Sequence, residues 1–179
     1  LVRLVDPDMS AALSHLAILN ALDFWRHGPQ YRDQQSQKTW AQIPQRPSSG
    51  GIVGVMGVGA IGTVIAQRFA ALGFTVRGWA RTQRKIEDVT VFAGAEGLAG
   101  FAAGAEVIVS VLPLTPDTNG VMNRDFFDRL APGAFIINGG RGPQIVDKDL
   151  LAALDRGQVG GAALDVFATE PLPADHPFW

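Results

Sequence analysis

The stretch Gly54-Val55-Met56-Gly57-Val58-Gly59-Ala60-Ile61-Gly62 constrains this chain more than any other. It follows the apolar Ile52-Val53 and precedes Thr63-Val64-Ile65-Ala66-Gln67-Arg68-Phe69-Ala70-Ala71-Leu72-Gly73, which has the pattern of an amphipathic helix. Gly57, Gly59 and Gly62 therefore form G-x-G-x-x-G where a strand should pass into a helix. Each glycine answers a physical need. Gly57 allows the tight turn, Gly59 lacks the Cβ that would block a pyrophosphate, and Gly62 lets helix and strand approach closely. The helix N-terminus then presents unbonded N–H groups to the phosphates. The motif alone is weak; its strand-before, helix-after context makes it a dinucleotide-binding signal.

From Ile52 onward strand and helix patterns alternate. The spacing predicts strands at Ile52–Met56, Phe74–Trp79, Val89–Phe92, Val107–Leu112, Ala134–Asn138 and Gly161–Val166. It predicts helices at Ala60–Leu72, Arg81–Asp88 (weak and partly loop), Glu96–Ala103, Arg124–Leu130 and Lys148–Arg156. Asn123 and Asp147 are suited to N-caps, and Gly73 and Gly157 to helix ends. Near-continuous apolar strands such as Val107-Ile108-Val109-Ser110-Val111-Leu112 suit a parallel sheet buried on both faces. The expected fold is α/β, a Rossmann-type doubly wound parallel sheet.

A long helix and a connecting arm precede this sheet. Leu1–Val5 is strand-like. Residues 6–28 read as one helix, capped by Asp6 or Asp8 and stopped by Gly28-Pro29. Its apolar residues, among them Met9, Leu13, Leu16, Leu19, Leu22, Phe24 and Trp25, wrap more than one face, predicting burial on two sides and a homodimer through this helix. Residues 29–50 read as an arm anchored by Trp40. The expected division is 1–50 for strand, helix and arm, and 51–179 for the dinucleotide-binding core.

Composition excludes several classes. The chain has 179 residues, 47% of them hydrophobic, and a net charge of −2 with both signs interspersed. No basic field points to nucleic acid or a membrane surface. Cysteine is absent, so disulfides and thiolate metal sites are out, and no other metal site is expected. No apolar run approaches the roughly 18 residues of a membrane span, and no signal-peptide pattern opens the chain; a cytoplasmic location is expected. The start at Leu1 and the stop on His176-Pro177-Phe178-Trp179 suggest a piece of a longer protein.

In an open α/β sheet the ligand lies beyond the carboxyl ends of the strands. After the second predicted strand comes Trp79-Ala80-Arg81-Thr82. A carboxylate that would hold a ribose 2′-OH is missing there, and Arg81 stands in its place, followed by Arg84 and Lys85. A guanidinium at this point attracts a 2′-phosphate, which favours NADP(H) over NAD(H), though NAD(H) stays possible. After the fourth strand, Leu112-Pro113-Leu114-Thr115-Pro116-Asp117-Thr118 is a proline-stiffened loop that can lie along a cofactor through Leu112, Pro113 and Thr118. After the fifth, Gly139 and Gly140 permit close backbone approach and Arg141 can grip a carboxylate. Asp165 and Glu170 follow the last strand. His15, His27 and His176 sit in no recognisable catalytic motif.

Taken together, the glycine motif, the Leu-Pro-Leu-Thr-Pro loop, Gly139-Gly140-Arg141-Gly142 and Leu164-Asp165-Val166-Phe167…Glu170-Pro171-Leu172 resemble the D-isomer-specific 2-hydroxyacid dehydrogenases. Within that family, Trp79-Ala80-Arg81-Thr82 and the glutamine-rich arm are most similar to the NADPH-preferring glyoxylate/hydroxypyruvate reductases. The resemblance implies reduction of a small 2-oxo acid to the 2-hydroxy acid. It implies that Arg141 holds the substrate carboxylate and Glu170 orients a catalytic histidine. It also implies that Asp165 lies near the nicotinamide carboxamide and that Gly57, Val58, Gly59, Ala60 and Ile61 cradle the pyrophosphate. The family's histidine belongs to a later Pro-His segment, so the chain alone is expected to be inactive. A truncated, non-catalytic dinucleotide-binding module is the alternative reading.

Overall fold

A computed structural model describes residues 7–179. The expected strand at Leu1–Val5, the Asp6 cap and the side chain of Met9 lie outside the described residues. The elements are helix α1 (Pro7–Trp25), helix α2 (Gly28–Ser36), strand β1 (Ile52–Met56), helix α3 (Ala60–Ala71), strands β2 (Thr75–Ala80) and β3 (Val89–Ala93), helix α4 (Gly94–Ala102), strand β4 (Val107–Ser110), the short helix α5 (Arg124–Phe127), strand β5 (Ala134–Asn138), a 3₁₀ turn (Gly142–Gln144), helix α6 (Asp147–Asp155) and strand β6 (Val159–Leu164). The six strands form one sheet in the order β3-β2-β1-β4-β5-β6, with every neighbouring pair parallel. The chain leaves β1 toward one edge and resumes at β4 toward the other. The carboxyl ends of β1 and β4 thus flank the point where the winding reverses, where such sheets bind their ligands.

Alternation along the strands builds two cores. Val53, Val55, Val107, Val109, Phe135 and Ile137 face one side, with Ile65 and Phe69 of α3 and Ala17, Ala21 and Trp25 of α1. Met56, Ile108 and Ile136 face the other, with Phe101 of α4, Met122, Phe127 and Leu150 of α6. Because neither face meets water, β4 and β5 are buried along their whole lengths, which is why they read as unbroken apolar runs. Gly54 is glycine because a Cβ there would lie 2.8 Å from both Phe101 and Ile108. Arg77 caps α4, donating to the Gly100, Phe101 and Ala103 carbonyls that the helix end leaves unbonded.

Several expectations need correction. The first helix ends at Trp25, and Gly28-Pro29 starts α2 instead of stopping α1. His27 takes a left-handed conformation with φ 60°, which turns the chain. Pro29, lacking an N–H, then fits a first helical turn, where that donor would have no partner. Residues 28–36 of the arm are therefore helical. Trp40 is no anchor, being 94% exposed. Trp25 anchors the arm: its indole N–H donates to the Arg46 carbonyl at 3.2 Å, the Arg46 guanidinium lies 4.4 Å above its ring, and that guanidinium pairs with Glu106. Within this chain the described part of helix α1 buries one stripe, Ser10, Ser14, Ala17, Ala21 and Trp25, and leaves Leu19 69% exposed on another face.

Further along, Arg81–Asp88 forms no helix; it is an irregular turn with a bridge at Ile86 and Asp88 at φ 56°. Asn123 caps α5 as expected, accepting from the Phe126 N–H at 3.1 Å, but the helix stops at Phe127. Val146, not Asp147, is the N-cap of α6; Asp147 is its first helical residue. Gly73 (φ 89°) and Gly157 (φ 71°) lie just past the ends of α3 and α6. Strand β6 runs Val159–Leu164, two residues earlier than predicted.

Candidate active site

The glycine loop occupies the carboxyl end of β1. Gly57 has φ 94°, a conformation natural to glycine. A Cβ there would also press on the Leu112 backbone at 3.2 Å. The Gly57 N–H donates to the Trp79 carbonyl at 2.9 Å, which ties the loop to the end of β2. A Cβ on Gly62 would fall 2.1 Å from the Gly57 carbonyl oxygen, so α3 enters hard against the turn. Gly59 differs: a Cβ there meets nothing within 4 Å. Open space above Gly59 and the free N–H groups of Ala60, Ile61 and Gly62 make a cradle that a pyrophosphate fits. Val58 points inward, 1% exposed, and packs where Gly78 of β2 lacks a side chain.

Arg81 and Thr82 follow β2 directly and are exposed. Among the described residues the Arg81 guanidinium has no ion-pair or hydrogen-bond partner. Arg84 folds back and donates to the Val58 carbonyl at 2.5 Å. Two guanidinium groups thus lie beside the loop at the end of β2, and their field favours a phosphate over a neutral hydroxyl.

The β5 side is built differently. Asn138, fully buried, accepts from the Gly140 N–H at 3.1 Å and donates to the Arg141 carbonyl at 3.2 Å. Gln144, also fully buried, takes the Arg141 N–H (3.1 Å) and the Ser110 hydroxyl (3.2 Å) on Oε1 and donates to the Leu112 carbonyl (2.8 Å). The Arg141 guanidinium donates to the Gly140 carbonyl at 2.7 Å and is otherwise exposed at the cleft. Gly139 lies against Leu13 and Leu16 of α1, the added Cβ falling 3.3 and 3.8 Å from them.

Gly142 brings the next loop in. A Cβ on it would fall 1.9 Å from the carbonyl carbon of Phe167, so the Arg141 turn and the loop after β6 touch backbone to backbone. Asp165 is tied by its N–H to the Asn138 carbonyl at 3.0 Å, leaving its carboxylate exposed. Glu170 accepts from the Phe167 N–H at 2.9 Å and precedes a cis proline, Pro171. The fold therefore gathers Gly57–Gly62, Leu112–Pro113, Gly139–Arg141, Asp165 and Glu170 at one edge, with Arg81 and Thr82 at its side. Thr118 is buried and spends its hydroxyl inside its own loop, on the Pro113 carbonyl (2.7 Å) and the Thr115 N–H (2.8 Å). It shapes the Leu112–Thr118 loop from within.

None of the three histidines is paired with Glu170 in the described residues. His15 is exposed, and His27 has its Nε2 buried without a partner. His176 Nε2 lies 3.8 Å from Asp147. Burial raises the Asp147 carboxyl above its ordinary value, and His176 opposes that shift. No cluster of three metal-binding side chains and no helix long and apolar enough to cross a membrane occur among the described residues. Two surface hollows, one beside Gln67 and Glu87 and one beside Tyr31 and Pro44, lie away from this edge.

Sequence reasoning missed the buried network of Ser110, Asn138 and Gln144. Ser110 and Asn138 carried a signal, as lone polar residues in or at the end of apolar strands. Gln144, in an irregular segment, carried none.

Known proteins share this arrangement. Residues 18–179 match the family described as D-isomer specific 2-hydroxyacid dehydrogenase, NAD binding domain. A glyoxylate/hydroxypyruvate reductase A from Yersinia enterocolitica is 42% identical over 179 residues, all of this chain but only 57% of the relative. A D-isomer specific 2-hydroxyacid dehydrogenase from Xanthobacter autotrophicus, solved with NADPH and MES, superposes with a TM-score of 0.97 at 41% identity, covering 100% of this chain and 74% of that one. An NADPH-dependent glyoxylate/hydroxypyruvate reductase from Sinorhizobium meliloti, solved with NADP and sulfate, gives a TM-score of 0.95 at 37% identity over 99% of this chain and 58% of that one. The chain belongs to the D-isomer specific 2-hydroxyacid dehydrogenases and spans their NAD-binding domain.

Proposed function

We propose that this chain is the coenzyme-binding part of an NADPH-preferring reductase that converts a small 2-oxo acid, of the glyoxylate or hydroxypyruvate type, to the 2-hydroxy acid. The observation that supports this most is the juxtaposition at one sheet edge of a phosphate cradle with open space at Gly59, an unpartnered Arg81 beside it, and Arg141 across the cleft. The relatives named as reductases of these acids, with NADPH or NADP in the solved examples, supply the substrate class and the cofactor.

The bound cofactor would supply the hydride; the chain's residues orient and bind. The Gly57–Gly62 loop would hold the pyrophosphate, with the free N–H groups of Ala60, Ile61 and Gly62 donating above the Gly57-Val58-Gly59 turn, Arg81 and Thr82 would take the 2′-phosphate, and Leu112 and Pro113 would form a wall. Thr118 serves that wall through its loop. Gly139 and Gly140 would line the ligand with their backbone, while the space of their absent side chains is taken by Leu13 and by Gln144 and Leu112. Arg141 grips the substrate carboxylate with two parallel N–H groups, which fixes the carbonyl carbon relative to the hydride. Asp165 sits toward the carboxamide end. Glu170 is the carboxylate that would orient a proton-donating histidine. His176 lies beside Asp147 and no histidine meets Glu170, which supports a histidine supplied from outside this chain. The chain alone is therefore expected to bind cofactor and to turn over glyoxylate poorly. That same arrangement is what the second reading, a non-catalytic nucleotide-binding module, would require.

The division at residues 50 and 51, a cytoplasmic location and a homodimer through α1, whose Leu19 is exposed, belong to the same proposal. Titration with NADPH and NADH tests its core. Arg81→Ala is expected to weaken NADPH by roughly 10- to 100-fold, the worth of a charge-assisted hydrogen bond, and to leave NADH within about twofold. Equal losses for both cofactors would remove Arg81 as the 2′-phosphate ligand. Failure of either nucleotide to bind the unaltered chain would remove the reading itself.

A further inference from the structure

Gln144 belongs to no motif, yet it is among the largest side chains that the fold buries completely. A buried carboxamide must satisfy both ends or lose stability, and the way it does so here is specific. Its oxygen receives one donor from the Arg141 backbone and one from Ser110 at the tip of β4. Its nitrogen donates to Leu112, the residue that packs over Gly57. Gly140 is held in the same grip: a Cβ there would fall 2.6 Å from the Gln144 oxygen and 2.9 Å from the Leu112 carbonyl oxygen. The Gly140 carbonyl in turn receives the Arg141 guanidinium. One side chain thus connects the wall beside the glycine loop to both the backbone and, through Gly140, the head group of Arg141.

We infer that Gln144 is a positioning residue that sets the distance and angle between the cofactor wall at Leu112 and the carboxylate clamp at Arg141. Its importance for substrate rests on the proposed role of Arg141; its importance for the loop does not. It touches neither substrate nor cofactor. Its carboxamide is suited to the task because three fixed partners, two donors and one acceptor, demand a group that accepts at one end and donates at the other. Neither methionine nor ionised glutamate meets that demand, while a protonated glutamic acid does.

The test compares Gln144→Met and Gln144→Glu with the unaltered chain by backbone amide hydrogen exchange and by titration of the NADPH-loaded protein with oxamate, a carboxylate that mimics a 2-oxo acid. In Gln144→Met the Arg141 amide should exchange at least about tenfold faster while amides of β1 and α3 keep their protection, and oxamate should bind on the order of tenfold more weakly with NADPH changed less than about threefold. In Gln144→Glu a pH dependence absent from the unaltered chain should appear. At low pH the protonated acid donates to Leu112 and oxamate affinity approaches that of the unaltered chain. At high pH the carboxylate faces the Leu112 carbonyl and affinity falls. A general loosening of the fold would instead speed exchange everywhere and show no such profile. Unchanged exchange at Arg141 in Gln144→Met overturns the inference. Failure of oxamate to bind the unaltered, NADPH-loaded chain would strike the carboxylate role of Arg141 and leave the exchange result to decide the positioning role.

Discussion

The two sides of the cleft are built on opposite plans. On the β2 side, Gly59 faces open space, Arg81 has no partner and the turn after the strand is irregular and exposed. On the β5 side, Gly140 and Gly142 are in backbone contact with their neighbours, and Asn138, Gln144 and Ser110 are buried with bonded side chains. The difference fits the roles proposed for the two sides. A phosphate brings its own charge and accepts many hydrogen bonds, so its site needs room and unspent donors. A clamp that must aim a carbonyl carbon needs angular precision, and that comes from packing that leaves the loop one conformation.

Glycine substitutions should separate the two sides most sharply. Gly142→Ala puts a methyl group within covalent distance of the Phe167 backbone, which cannot yield as a side-chain tip could. A loss of more than about 3 kcal/mol of stability in urea denaturation is expected, or displacement of the Asp165–Glu170 loop. Gly59→Ala should do the reverse. Its φ of −78° suits alanine and nothing stands in the way, so stability should change by less than about 0.5 kcal/mol while NADPH binding weakens about tenfold or more. Equal stability losses in the two variants would erase the distinction between the sides.

The open side should also respond to salt. Raising ionic strength from about 0.05 to 0.5 M should weaken NADPH more than NADH, because Arg81 and Arg84 are exposed and screened. Parallel salt curves for the two cofactors would mean that the 2′-phosphate is not read by charge.

The smallest effect concerns Asp147, at the start of α6 behind the β5 side. Burial holds its folded pKa above the unfolded value. The stability that its proton confers is full below the unfolded pKa and is lost as pH rises through the folded one. At neutral pH the ionised group is therefore a cost, offset in part by His176. Asp147→Asn should raise Tm by about 1–2 °C at pH 7, with the gain vanishing as pH falls below the carboxylate range. A Tm gain that persists at acid pH would show that desolvation of the carboxylate is not its source.

What the amino-acid sequence revealed divides along the same line. The glycine turn and the placement of Arg81 beside it were legible because glycines at Gly57, Gly59 and Gly62 and the basic Arg81 are local signals with fixed spacing. The strands that carry the site were legible too, since burial on both faces leaves an apolar run with sharp ends, as at Ile52–Met56 and Ala134–Asn138. The clamp's support was not. Gln144 gains its role only when β4, β5 and the 3₁₀ turn meet, and its partners are 34, 32 and 3 residues away. The break at His27 was hidden for a related reason: Gly28-Pro29 ends a helix and begins one with equal ease, and the contacts that hold the break, Arg32 on Asp23 and Trp25 on Arg46, join residues 9 and 21 positions apart.

The most direct test of the account is to map cofactor binding onto backbone amides by NMR, titrating the chain with NADPH and, separately, with NADH. Saturable shifts are expected at Gly57–Gly62 and Leu112 with both cofactors, and at Arg81 and Thr82 with NADPH much more than with NADH. Shifts confined to the α2 arm, or identical shifts at Arg81 with the two cofactors, would contradict it.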